Sequence, residues 1–181
     1  MDIYEVTYDR IFTIIDRGMN ECRSEAAAAV VDEKVFCCGG WKGKNEFLSS
    51  VEFYDAHSDI WTLICPIPKL CEWIGAVETN GRLLVIGEEC DSQSITNPVW
   101  LLDFKNMRWI VQPRTLQKRE HFTTVRLGEE IFIYGGSNTI AVEISNDGKW
   151  RTGPALPQLL DFSPYAVVPM EFAKNLLKAS V

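Results

Sequence analysis

The chain has 181 residues, 46% apolar and 24% charged, with a formal net charge of −7. That composition belongs to a folded globular chain and excludes a disordered one. It also argues against a nucleic-acid surface, which would be basic and clustered, and no apolar run approaches membrane-spanning length. The N-terminal residues include Asp2, Glu5 and Asp9 and carry no apolar signal core, so the chain is expected in the cytoplasm or the nucleus.

In chain order, residues 3–6 and 11–15 are two short apolar runs. Residues 26–31 form a third, broken by Asp32-Glu33, and 35–38 a fourth, closed by Gly39-Gly40. After a polar stretch, 51–54 alternates and is rich in strand formers. A turn at 55–59 leads into 60–64, and Pro66 and Pro68 end the unit. Four such runs with turn signals between them, in about 45 residues, predict a four-stranded antiparallel meander. The order repeats as 75–79, 83–86, 99–103 and 109–111, with Asn80-Gly81 as a hairpin turn whose positions both tolerate positive φ. It repeats again as 122–127, 131–134, 140–144 and 150–152, with turns at Gly128-Glu129 and at Asn146-Asp147-Gly148. Residues 162–168 read as one more first strand, and 170–177 place Phe172, Ala173, Leu176 and Leu177 on one helix-like face.

A fixed period underlies these runs. Gly39 and Gly87 are 48 residues apart, as are Gly87 and Gly135; Trp61 and Trp109 are also 48 apart, and Trp150 follows 41 later. Such a period marks an array of supersecondary units. Paired glycines let the chain turn out of a strand where neighbouring units crowd, and large rings fill the wedge between adjacent sheets. Gly39, Gly40, Gly87, Gly135, Gly136, Tyr54, Trp61, Trp109 and Trp150 are therefore read as packing residues. The six cysteines include no Cys-x-x-Cys pair, and only His57 and His121 are available beside them, so free thiols and no metal are expected. Gly39-Gly40 is followed by no helix pattern, which removes a phosphate-binding loop. No Ser-His-Asp or Cys-His arrangement is readable. The expectation is a chain with no catalytic residues and no cofactor.

The pattern resembles the kelch repeat. The residues that carry the resemblance are Gly39-Gly40, the run Val51-Glu52-Phe53-Tyr54-Asp55, and Trp61. The third unit keeps Gly135-Gly136, Val142-Glu143 and Trp150 with Ile144 for the Tyr; the second has Glu88 for the second glycine and Leu102 for the Tyr. The resemblance implies an all-β fold of kelch-type β-propeller blades, each a four-stranded antiparallel meander, in an incomplete or fragmentary propeller. The kelch region then spans 1–168: a half blade at 1–18, blades at 19–68, 69–116 and 117–158, and the start of another at 159–168, with a tail at 169–181. Two closures stay open: a piece of a longer propeller, or a small ring in which the terminal strands share one blade.

The same resemblance implies protein–protein recognition. The leading expectation is the substrate-binding region of an adaptor for a cullin-based ubiquitin ligase, reaching the ligase through an upstream domain. The alternative is an actin-associated or scaffold kelch protein, and a degenerate kelch-type enzyme comes third. Strand parity says where binding happens. In each blade the first strand leaves the glycine end and the second returns to it, so the loop leading into the blade and the loop after the glycines share one face. Long loops on a rigid scaffold collect binding residues. This glycine face carries Arg23, Glu25, Trp41, Lys42 and Lys44 from the first full blade, Trp73, Glu89 and Asp91 from the second, and Arg119, His121, Ser137 and Asn138 from the third. Kelch substrate receptors hold acidic peptides with arginines at one position ahead of the first strand. Here that position reads Glu25, Trp73 and His121. Trp41 and Trp73 fit either a hot-spot rim or the space between blades.

Overall fold

The structure is a computed structural model describing residues 4–6, 11–13, 18–44, 46–89 and 94–160, and every regular element in it is a strand. β1 (Tyr4–Val6) and β2 (Ile11–Thr13) pair as an antiparallel hairpin. Three four-stranded antiparallel sheets follow. The first runs β3 (Ala27–Val31), β4 (Lys34–Cys38), β5 (Val51–Asp55), β6 (Ile60–Ile64). The second runs β7 (Cys71–Thr79), β8 (Arg82–Glu89), β9 (Val99–Asp103), β10 (Arg108–Gln112). The third runs β11 (Thr123–Leu127), β12 (Glu130–Tyr134), β13 (Glu143–Asn146), β14 (Lys149–Thr152). Each is the four-stranded antiparallel meander expected of a kelch-type blade. The expected strand at 162–168 and the helix-like face at 170–177 lie outside the described residues.

Asp32-Glu33, Asn80-Gly81 and Asp147-Gly148 all take positive φ, the geometry of tight hairpin turns whose twist matches the flanking strands. These turns lie on the hairpin face, opposite the glycines. β7 packs beside both β3 and β11, so the blades stand in sequence order, and among the described residues they form an arc that does not close. The innermost strands line a concave space of about 750 Å³ walled by small side chains such as Ala28, Ala76 and Val125.

The core lies between the blades. In the second blade, Leu83, Val85, Trp100 and Leu102 pack toward the first blade with Phe36, Cys38 and Val51. The alternate residues Leu84, Ile86, Val99 and Leu101 pack toward the third with Ile131 and Ile133. A strand buried on both faces has no polar side to show, which is why β8 and β9 read as unbroken apolar runs. Trp109 donates its indole N–H to the Cys65 carbonyl at 3.2 Å, and Trp150 to the Pro113 carbonyl at 3.0 Å. Each ring thus binds the chain leaving the preceding blade. Cys37 and Cys38 project to opposite faces and join different clusters. Burial pushes both thiols up, away from the reactive thiolate.

Three strands of the blades differ from the sequence reading by more than one residue. β7 and β8 are longer than 75–79 and 83–86 because Glu88 stands where the other blades have a second glycine. Gly40 (φ +95°) and Gly136 (φ +109°) turn the chain out of the sheet. A side chain resists that conformation, so β8 continues, and Glu89 pairs with Cys71 across a register shift in β7. In the third blade, strand pairing begins at Glu143 and not at residue 140. Ala141 instead donates its N–H to Thr139 Oγ1 at 3.1 Å, a local bond that competes with the ladder.

Gly40 and Gly43 share a φ of +95°, but a Cβ on Gly40 would meet the Ser24 carbonyl oxygen at 2.5 Å while one on Gly43 would meet nothing within 4 Å. Conformational strain is therefore common to both, and close approach belongs to Gly40 alone. Gly40→Ala is expected to destabilise more than Gly43→Ala by about 1–3 kcal/mol, the ordinary cost of overpacking. Paired urea unfolding curves measure it; equal midpoints for the two variants would remove the close-approach argument.

Candidate functional site on the glycine face

The loops before the first strands and after the glycine pairs are stitched together. Ser24 and Trp41 exchange both backbone hydrogen bonds, at 2.9 and 2.8 Å. Gly39 donates to the Ser50 carbonyl at 3.0 Å, and Leu48 to the Gly40 carbonyl at 2.8 Å. In the third blade, Ser137 Oγ lies 3.2 Å from His121 Nδ1, across the same two loops.

Arg23 and Arg119 do not stand on the rim, which corrects the expectation for both. Each lies sixteen residues before the first glycine of its pair and points into the blade. Arg23, its side chain 1% exposed, contacts Glu52 Oε1 at 2.7 Å and donates to the Gly39 carbonyl at 2.7 Å and the Ser50 carbonyl at 3.1 Å. Arg119, fully buried, contacts Glu143 Oε1 at 3.0 Å and donates to the Gly135 carbonyl at 3.1 Å. The physical reason is the carboxylate beneath each one. Glu52 and Glu143 are themselves fully buried and need a cation. Burial by itself would raise the Glu52 carboxyl. Hydrogen bonds from the Asn20 N–H and side chain and from the Arg23 guanidinium outweigh it and hold the group below the usual carboxylate range.

This repeated ion pair was missed in the sequence, although its signal is present: an arginine at a fixed distance before the glycines and a glutamate after a valine in the third strand. The second blade lacks it. Cys71 occupies the arginine position. Trp100 occupies the glutamate position, opposite Val85, as Glu52 is opposite Cys37 and Glu143 opposite Ile133. A Cβ on Gly87 would collide with Cys71 and lie 3.2 Å from the Trp100 ring, so the apolar replacements sit where the charges sit elsewhere.

Glu25, Trp73 and His121 do converge. Each lies fourteen residues before its blade's glycine position. Together with Ala26, Ile74 and Phe122 they line one pocket of about 200 Å³ where the three blades meet. Glu25 (φ +55°) and His121 (φ +54°) share a left-handed backbone. The Trp73 and His121 rings meet edge-on, centroids 3.7 Å apart and planes at 88°. Trp73 is half-buried there, whereas Trp41 is 37% exposed on the rim. Lys42, Lys44, Ser137 and Asn138 are exposed around it. Glu89 contributes backbone pairing in β8, and Asp91 lies outside the described residues. No cluster of His, Cys, Asp and Glu that could hold a metal occurs among the described residues, and no helix there is long and apolar enough to cross a membrane.

The family profile described as Kelch motif matches residues 22–64, the first full blade. Alpha-scruin of Limulus polyphemus is 27% identical over 126 residues, covering 66% of this chain and 14% of the relative. Kelch-like protein 35 of Mus musculus is 27% identical over 142 residues, covering 77% of this chain and 24% of the relative. Kelch repeat and BTB domain-containing protein 12 of Homo sapiens is 28% identical over 167 residues, covering 77% of this chain and 26% of the relative. The chain thus spans between 14% and 26% of the length of these curated relatives.

Proposed function

The chain is a kelch-repeat protein, and from that premise we propose that it is the substrate-recognition region of an adaptor for a cullin-based ubiquitin ligase, holding a protein partner on its glycine face. The observation that carries the reading is the convergence of Glu25, Trp73 and His121, one residue from each blade, in a single pocket. An aromatic anchor in a rigid concavity, ringed by exposed polar side chains, is the anatomy of a binding hot spot. The link to a ligase is supported by the two relatives whose names place them among kelch-like and BTB-containing proteins.

The test uses the full-length gene product that contains this chain, expressed in cells. Cullin is expected to co-purify with it. Trp73→Ala combined with His121→Ala is expected to lower ubiquitination of the captured partner about thirtyfold or more, as truncation of a 2 kcal/mol hot spot does, while cullin binding persists. Lys105→Ala with Lys149→Ala, exposed on the hairpin face, should change neither. Absence of cullin together with cosedimentation on actin filaments would overturn the adaptor reading and put the scaffold reading in its place.

A further inference from the structure

We propose that the pocket shared by Glu25, Trp73 and His121 takes the cationic side chain of a partner peptide, an arginine or a lysine. The proposal rests on the reading of the glycine face as the binding surface and adds the chemistry of what it binds. Size comes first. At about 200 Å³ the pocket is smaller than the roughly 300–1,000 Å³ of sites for drug-sized ligands, so it suits one side chain. Charge comes second. Two of the face's arginines are consumed internally, Arg23 on Glu52 and Arg119 on Glu143, with side-chain exposures of 1% and 0%, and exposed Arg114 reaches Ser94 and Thr96 and does not line the pocket. Arg23 and Arg119 are thus not available to receive an anion. The one acidic side chain lining the pocket is Glu25, exposed and making no ion pair or side-chain hydrogen bond with a described residue. Exposed Lys42 and Lys44 belong to the loop after Gly40 and do not line it.

Shape comes third. The Trp73 indole stands half-buried beside Glu25 and is braced by His121, which Ser137 contacts in turn. A cation placed over an indole is attracted by the ring quadrupole, and a carboxylate at the same mouth adds Coulomb attraction. The alkyl stem of arginine or lysine would lie along Ala26, Ile74 and Phe122, apolar walls that suit such a stem. An aspartate or glutamate would instead meet Glu25, and like charges repel.

The experiment labels the six tryptophans as 5-fluorotryptophan, assigns the Trp73 resonance with Trp73→Phe, and titrates the chain with the blocked pentapeptide Gly-Ser-Arg-Ser-Gly. The Trp73 resonance is expected to shift saturably. The same peptide with citrulline, uncharged and nearly isosteric, or with glutamate should produce little shift. Glu25→Gln, which keeps size and backbone preference, should weaken the arginine peptide roughly fivefold, the upper range for an exposed ion pair. Added salt should weaken it in the native chain and much less in Glu25→Gln. Equal shifts with citrulline, stronger binding of the glutamate peptide, no shift of Trp73 at all, or an unchanged titration in Glu25→Gln would each overturn the proposal. None of these readouts depends on cullin, so a failure of the adaptor reading and a failure of the cation pocket are separable.

Discussion

Arg119→Ala is expected to destabilise the chain by about 3–5 kcal/mol, the usual result of removing one member of a buried ion pair. The cost comes less from lost attraction than from what is left behind. Glu143 is fully buried, and without the guanidinium its charge is left, among the described residues, with the Leu116 N–H at 2.5 Å to solvate it. The Gly135 carbonyl also loses its donor at the point where the chain turns out of β12. Replacing both charges by apolar groups of similar volume, as in Arg119→Met with Glu143→Leu, should cost clearly less than the single change, because no unpaired ion remains. The second blade already carries such an arrangement in Cys71 and Trp100. Urea unfolding of the three chains decides it. A loss below about 1 kcal/mol for Arg119→Ala would place the pair among weak surface bridges, and a double variant worse than the single would refute the argument from the unpaired charge. The first blade gives the same argument a pH sign. The Glu52 carboxyl is held below its ordinary range, so its contribution is present above the unfolded value, about 4.3, and is lost as pH falls through the lower folded value.

Trp61→Ala is expected to cost about 3–5 kcal/mol, the range for deleting a buried large ring. Trp61 is 6% exposed and packs on Tyr54, ring centroids 5.4 Å apart, with Cys37 and Met19 in the same cluster. Tyr54 is held in place by its hydroxyl, which donates to Asp59 at 2.8 Å, so the cluster has little freedom to collapse into the space left. Trp61→Phe should retain much of the stability because it keeps an aromatic ring against Tyr54. Trp150→Ala should cost less than Trp61→Ala, since that ring is only half-buried. Thermal unfolding in one buffer measures all three. A Trp61→Ala loss under about 1 kcal/mol would mean that the ring is not packed as described.

Sequence alone was enough for the blades. The glycine period, the tight-turn residues at Asp32-Glu33 and Asn80-Gly81, and the runs of strand formers are local signals, and a meander is built from local pairings between consecutive strands. The same locality made the face assignment readable, because strand parity needs no knowledge of neighbours. Where a local rule was broken, the boundary moved with it: Glu88 for a glycine let β8 run on, and Thr139 drew residue 141 out of the ladder. What only the tertiary structure decided was the direction and company of side chains. Arg23 and Arg119 sit in loops, where a cation defaults to water, and nothing within their own segments reveals the carboxylates across the blade. Trp73 sits in a strand, and whether it faced solvent or a neighbour depended on His121, 48 residues away. The meeting of Glu25, Trp73 and His121 is likewise a property of three blades packed side by side, since burial and electrostatic pairing are set by residues distant in sequence.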